Sequence, residues 1–440
     1  MIKYIAFLLF NLFSYSVSLC IFIFGIFIIL NQDQSLSYYR LILFGVLPII
    51  FAIIFFLSKR EYKVVIIITS FIFILVIILF ENYLIRSEKN FHDTNLKLSN
   101  MRLNQLCSFH YSSFDELELF PIGGMPNNLT ALYNAQSNLF HYFSLDNHGF
   151  NNKNNWDEFS KFNYIFLGDS FTYGADVSRD SSFVNLFKEK FKNTLNLGCN
   201  GNGPISELAA FREYVKILKP KIFFLNYYRN DLEKDIVREN KSFYNNYYEN
   251  KNFTQNLLIK NHEIPVVAEY VYEKASNVIL EQENIKSKAT LEQKKIKNAI
   301  QKKDKPNNFF QLITTESFKL NKVRMLLGIR YGFDREHFNQ YKKILNEIDT
   351  DINEWGGKLV FVYIPAQYQF INIFNFLDSY FYDTNIFNFL DEKNIEYINL
   401  LEDFNKYDNP SSFYNGHFTP QGNEIVAKKL IEVVNKIHQN

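Results

Sequence analysis

The chain has 440 residues, with 47 Lys and Arg against 46 Asp and Glu and a formal charge of +1. That length allows two or three domains around sizeable cores, and the balanced charge excludes a nucleic-acid binder that relies on a basic surplus. An apolar share of 47% with 47 Phe excludes wholesale disorder, while three Cys without a CxxC pair and eight His without HExxH spacing exclude a zinc ribbon, a disulfide scaffold and a recognisable metal site.

From the amino terminus, the first feature is apolar. Residues 4–32 carry no charged side chain, Leu41–Leu57 is a second uncharged run, and Val64–Phe80 is a third. A bilayer-crossing helix needs about 20 apolar residues, with a lower limit near 17, so three membrane-spanning helices are predicted. Pro48 lies inside the second run, where a neighbouring helix or a local rearrangement can satisfy the freed carbonyl. A cleaved leader would be shorter and would end at a small-residue site; neither feature is present. Lys59, Arg60 and Lys63 crowd the loop after the second run and Lys3 precedes the first, whereas the loop between those runs holds only Arg40, offset by Asp33. Positive charge stays on the cytoplasmic side. The expectation is a multi-pass protein of the inner (cytoplasmic) membrane, with everything after Phe80 extracytoplasmic, in the periplasm.

Residues 1–85 are thus read as a three-helix transmembrane anchor, 86–137 as a linker and irregular first layer, and 138–440 as a folded domain with a helical insertion at about 233–345. Tyr164–Leu167 reads as a strand ending at Gly168, Ser181–Phe191 as an amphipathic helix, and Thr194–Leu197 as a strand closed by Gly198, Gly201 and Gly203. A helix over Ile205–Leu218 and a strand over Lys221–Tyr227 follow. The insertion is rich in Lys, Glu and Asn and keeps helical spacing at Ile285, Ala289, Ile296 and Ile300, as a cap over a sheet would. Its charge run Lys294–Lys305 reads as a solvated helix face. Lys358–Ile364 is a strand stopped by Pro365, Ile395–Leu400 another, and Glu424–Ile437 a closing amphipathic helix. Strands alternating with helices predict βαβ units and a parallel sheet whose functional residues lie at the carboxyl ends of strands.

Four short blocks stand at such ends. Gly168-Asp169-Ser170-Phe171-Thr172-Tyr173-Gly174 puts a serine at a strand-to-helix turn, which projects its Oγ from the sheet edge. Thr172 stands where the GxSxG elbow of α/β-hydrolases needs glycine, so that fold is disfavoured. Asn196-Leu197-Gly198-Cys199-Asn200-Gly201-Asn202-Gly203-Pro204 is a glycine-rich turn able to present N–H groups to an anion, without GxGxxG dinucleotide spacing. Tyr227-Tyr228-Arg229-Asn230-Asp231 offers a side-chain amide donor to a developing oxyanion. Asn415-Gly416-His417-Phe418-Thr419-Pro420-Gln421-Gly422 sets a histidine before a helix start, placed to reach back as a base.

With these four blocks in this order, the stretch from about Phe140 to the carboxyl terminus resembles the SGNH hydrolases of the GDSL type, and its lead-in Asp146–Phe150 is similar to that of membrane-anchored members. The resemblance implies a flavodoxin-like three-layer α/β/α sandwich with a five-strand parallel sheet. It implies Ser170 as nucleophile, Gly201 and Asn230 as oxyanion-hole donors and His417 as base, with no cofactor and no metal. The family's Asp shortly before the His is missing, since Tyr414 and Asn415 stand there. Asn415 can accept the imidazole N–H through its amide oxygen, and Asp403 or Asp408 are alternative carboxylates.

The implied activity is a membrane-anchored serine esterase that cleaves an acyl group, O-acetyl by expectation, from an envelope glycan or lipid. A transferase using the same serine, supplied by an envelope polysaccharide assembly protein, is one alternative. A non-catalytic glycan-binding module is another, motivated by the missing Asp and the aromatics Tyr227, Tyr228, Tyr414 and Phe418. Cys20 reads as a small buried hydrophobe in the first span, and Cys107 and Cys199 lie on the side where a disulfide can form.

Overall fold

The computed structural model describes residues 19, 47–59, 62–66, 68–70, 72, 75–83, 119–134, 139–271, 273, 335–370 and 375–439. They fall into two compact units, each considered by itself. In the first, α1 (Leu47–Leu57) is followed by α2 (Tyr62–Tyr83). The 22 residues of α2 have a mean hydropathy of 3.1, and at 1.5 Å per residue they reach about 33 Å, enough for a hydrocarbon core of about 30 Å. Its Thr69 hydroxyl donates to the Val65 carbonyl at 2.8 Å, which removes the cost of a bare hydroxyl on an apolar helix. Where three spans are expected, one helix among the described residues is long and apolar enough to cross a membrane. The second run appears as the 11 residues of α1, and the first, apart from Leu19, lies outside the described residues.

The second unit is a mixed α/β fold. The antiparallel hairpin β1 (Leu129–Asn134) and β2 (Leu139–Ser144) comes first, inside and just beyond the stretch expected to be irregular. The main sheet contains β3 (Tyr164–Leu167), β4 (Thr194–Asn196), β5 (Ile222–Tyr228), β6 (Lys358–Ile364) and β7 (Glu396–Asn399). These five strands are all parallel, in the order β4-β3-β5-β6-β7. Counted from β3 this is 2-1-3-4-5, the flavodoxin-like winding. It reverses between β3 and β5 and opens a crevice at their carboxyl ends.

The strands read as near-continuous apolar runs because both faces are covered. Alternate side chains point to opposite faces. Phe166, Phe224, Val360, Val362 and Ile398 face one side, where Phe183, Val184, Phe187, Val426, Leu430 and Val434 complete a single buried cluster. Phe166 and Phe224, paired across β3 and β5, stack with centroids 4.3 Å apart. These helical residues come from α4 and α9; in sequence the helices are α3 (Ser170–Tyr173), α4 (Phe183–Lys190), α5 (Pro204–Ala210), α6 (Arg335–Glu354), α7 (Asn375–Lys393), of which 388–393 belong to this unit, α8 (Leu400–Phe404) and α9 (Pro420–Gln439). On the opposite face Phe223 meets Phe211, and Tyr227 meets Tyr341 of α6 at 5.6 Å.

Helix α6 buries Phe338, Tyr341, Ile344, Leu345, Ile348 and Ile352, a stripe at i, i+3, i+4 spacing, and leads into β6. It begins at Arg335, within the segment read as an insertion. Residues 274–334, including the helical spacing at 285–300, lie outside the described residues. The helix predicted over 205–218 forms as α5, but Phe211–Val215 widens to a π-helical turn.

Candidate active site

Each polar element of the site is built from short-range backbone logic. After β3, Asp169 caps α3, its carboxylate accepting from the Phe171 N–H at 2.9 Å. Helix α3 lasts only four residues because Gly174 takes a left-handed conformation, φ 83°, and ends it. Two residues on, Asp176 is itself left-handed at φ 67°, which Asp tolerates better than most side chains. The chain has therefore turned back on itself within seven residues of the serine.

The fourth block closes onto this corner. Tyr414–Asn415 and His417–Phe418 form a two-residue antiparallel turn around Gly416, φ 87°, and α9 follows directly. The carboxylate of Asp176 accepts from His417 Nδ1 at 2.7 Å, and His417 Nε2 lies 2.8 Å from Ser170 Oγ. With a carboxylate at Nδ1, that nitrogen carries the proton, leaving Nε2 to accept from the serine hydroxyl. The His417 and Asp176 side chains are 21% and 12% exposed, and Ser170 is 7% exposed, so the group is partly desolvated yet open at its tip. Phe171 packs edge-on against the His417 ring at 5.0 Å and against Phe418 at 4.7 Å, fixing the imidazole plane.

This geometry corrects the sequence reading of the third member. Asn415 pairs with His417 in the strand register, but Nδ1 is held by Asp176 rather than by the Asn415 amide. Asp403 is engaged by Lys406 and Lys429, and Asp408 is exposed. The signal for Asp176 was present as Gly174 followed by Asp two residues later, a helix stop that returns the chain to the serine.

The second block is stitched to the first. Leu197 N–H donates to Phe166 O at 2.8 Å and Cys199 N–H to Gly168 O at 3.1 Å, continuing the β3–β4 pairing past the strands. The Asn196 amide donates to Thr172 O at 2.9 Å, and Asn152 bonds Asn196 through both its N–H and its carbonyl. Asn152 is held in turn by Asp146, whose carboxylate also accepts from His148 N–H, Phe150 N–H and Trp156 Nε1. The lead-in segment is thus a buried brace for this loop. Burial pushes Asp146 up to about 6 against these donors, and burial pulls the neighbouring His148 down to about 4. Gly201 is left-handed at φ 82°, and its carbonyl accepts from Arg238 Nη2.

Asn230 follows β5 and begins a run of helical turns, Asp231–Asp235 and Ile236–Glu239. Its Nδ2 donates to Asp235 Oδ2 at 2.7 Å. The Asp169 carboxylate accepts from the Asn230 side chain and lies 3.4 Å from Ser170 Oγ, whose one hydrogen goes to His417, so Ser170 and Asn230 flank one group. Burial pushes Asp169 up despite its donors, and burial holds Glu207 and Asp231 well above the usual carboxylate range. Burial and the neighbouring carboxylates both act against the charged forms of Glu207 and Asp231.

Of the aromatics read as glycan platforms, Tyr227, Tyr414 and Phe418 are buried in the core, and Tyr414 spends its hydroxyl on Pro365 O at 2.6 Å. Cys199 is disulfide-bonded, and its partner lies outside the described residues. Among the described residues no group of three or more His, Cys, Asp or Glu could hold a metal ion.

No family model matches the chain, and no curated protein matches it. Among solved structures it is similar to a Bacteroides fragilis protein provisionally described as an acylhydrolase, at 13% identity and a TM-score of 0.32, over 62% of this chain and 86% of the other. It is also similar to an acetyl xylan esterase, at 13% identity and a TM-score of 0.33, over 62% of this chain and 98% of the other. Likenesses of this strength say nothing about what the chain does, and the chemistry rests on its own side chains.

Proposed function

We propose that the chain is a serine esterase of the SGNH type, with Ser170 as nucleophile, His417 as base and Asp176 as the carboxylate behind the base. The observation that carries this reading is the hydrogen-bonded run from Asp176 through His417 to Ser170. In the first half-reaction Ser170 Oγ attacks an ester carbonyl carbon while its proton passes to His417 Nε2. The tetrahedral oxyanion is met by the N–H groups of Ser170 and Gly201 and the Asn230 amide, each such donor typically worth about 3–4 kcal/mol of barrier. His417 then gives its proton to the departing alkoxide, leaving an acyl-serine. Water attacks that acyl carbon, surrendering a proton to the same nitrogen, and the carboxylic acid leaves as Ser170 regains its hydrogen. Asp176 stabilises the imidazolium that forms twice in the cycle.

The proposed setting is the outer face of the inner membrane, with α2 as one of three anchoring spans. The disulfide at Cys199 favours an oxidising compartment. The proposed substrate is an O-acylated envelope glycan or lipid. The inert-module alternative drew on a missing carboxylate and on aromatics free to stack on sugars. Asp176 behind His417 and the burial of three of those rings favour the catalytic reading. The test is hydrolysis of p-nitrophenyl acetate by the detergent-purified full chain. Ser170→Ala and His417→Ala are each expected to abolish turnover, and activity surviving both would overturn the assignment.

A further inference from the structure

Two of the proposed oxyanion donors sit on different loops, Gly201 after β4 and Asn230 after β5, and an oxyanion hole works only if its donors hold a fixed mutual geometry. One guanidinium joins them. Arg238 Nη2 donates to the Gly201 carbonyl and also lies 3.2 Å from Asp235 Oδ1. The other oxygen of the same carboxylate, Asp235 Oδ2, takes the Asn230 Nδ2 hydrogen at 2.7 Å. An amide nitrogen has two hydrogens; one goes to Asp235 and the other toward Asp169, the carboxylate beside Ser170, so the bond to Asp235 fixes the amide plane that aims the second hydrogen at the serine end of the site. The carboxylate is 5% exposed, while the Arg238 side chain is 28% exposed and reaches it from the solvent side.

A neighbouring carboxylate completes the frame. Glu239 accepts from Gly203 N–H at 2.7 Å and from Ile205 N–H at 2.8 Å, and also from Ser206 Oγ, pinning the far end of the Gly201 loop to the same helical turn. Burial, with Glu239 and Asp169 nearby, pushes Asp235 up to about 8, against the pull of Arg238 and Lys234.

We propose that Asp235 and Arg238 are positioning residues that lock the Gly201 loop and the Asn230 amide into one oxyanion-binding frame, an inference that rests on the esterase reading above. Neither touches the substrate; each acts through a donor that does. The test compares Asp235→Asn, Arg238→Gln, Arg238→Lys and the Asp235→Asn/Arg238→Gln double variant with wild type and Ser170→Ala, all as full chain on p-nitrophenyl acetate. Because the donors serve the transition state, kcat is expected to fall about 10- to 100-fold in each Asn or Gln single variant, less than removal of a donor outright, with KM within about twofold. The double variant is expected to be no worse than the poorer single, since one link is cut twice, and Arg238→Lys to recover part of the loss. Wild-type kcat in both single variants, or losses that multiply in the double, would overturn the proposal while leaving Ser170 chemistry intact. Should Asp235→Asn fail to fold, as read by its thermal melt, the partly exposed Arg238→Gln reports the same link. If wild type itself does not turn over, or Ser170→Ala does, the esterase reading is what has failed.

Discussion

Replacing Asp176 by Asn isolates a single charge. Asn, like Asp, accepts the left-handed backbone that residue 176 adopts at φ 67°, so the turn survives and only the carboxylate is lost. At 2.7 Å between His417 Nδ1 and Asp176 Oδ2 the charge centres of carboxylate and imidazolium lie about 4 Å apart, and an effective dielectric of about 20 gives about 4 kcal/mol. Side-chain exposures of 21% and 12% admit some solvent screening, which reduces this to about 3 kcal/mol, or about 100-fold in rate. An Asn amide also offers Nδ1 a hydrogen and favours the wrong imidazole tautomer, a fault that carries the total toward about 10⁴-fold in triads of this logic. The expected result is a kcat lowered by about 10³-fold on p-nitrophenyl acetate, with KM changed by less than about threefold. Asn415→Ala, the residue the sequence suggested for this role, is expected to stay within about threefold of wild type. An Asp176→Asn enzyme within about fivefold of wild type would refute the reasoning, as would an Asn415→Ala loss of equal size.

The brace behind the second block makes a pH prediction. His148, lowered from 6.5 to about 4, contributes stability that is complete above pH 6.5 and lost as pH falls toward 4. Asp146, raised from 3.8 to about 6, contributes stability that is complete below pH 3.8 and lost as pH rises through 6. Each is worth about 3 kcal/mol, and in wild type the two slopes oppose each other. His148→Phe leaves the Asp146 slope alone, so its urea midpoint relative to wild type should be lower at pH 6 than at pH 4; equal differences at both would contradict it. A Cβ on Gly198 would lie 2.6 Å from both Thr172 Cβ and Tyr173 N, so Gly198→Ala should cost about 1–3 kcal/mol by forcing α3 aside. Thermal melting together with kcat would detect this, and an unchanged melt would show slack in the turn.

Much of the fold could be read from the chain because parallel strands buried on both faces announce themselves. Tyr164–Leu167 and Lys358–Ile364 are apolar runs bounded by Gly168, Gly357 and Pro365, and they form with those limits. The β1–β2 hairpin did not stand out, since LTALYN and LFHYFS mix polar and apolar residues without strict alternation. Ser170 and His417, which the structure brings within 2.8 Å, were legible from their placement after a strand and before a helix. The acid was not, because proximity to His417 was sought along the chain, whereas Asp176 reaches it across space from 241 positions away. Asp235 and Arg238 were hidden for a related reason: nothing in a charged helical turn reveals which loop it faces.

The sharp stop at Gly174 has a consequence for biogenesis. Because it folds Asp176 back beside Ser170, the nucleophile and the acid travel together, and the reacting centre lacks only the base, 247 positions later. On the proposed esterase reading, a chain still being synthesised would carry an unactivated alcohol until the segment around His417 has been made and docked.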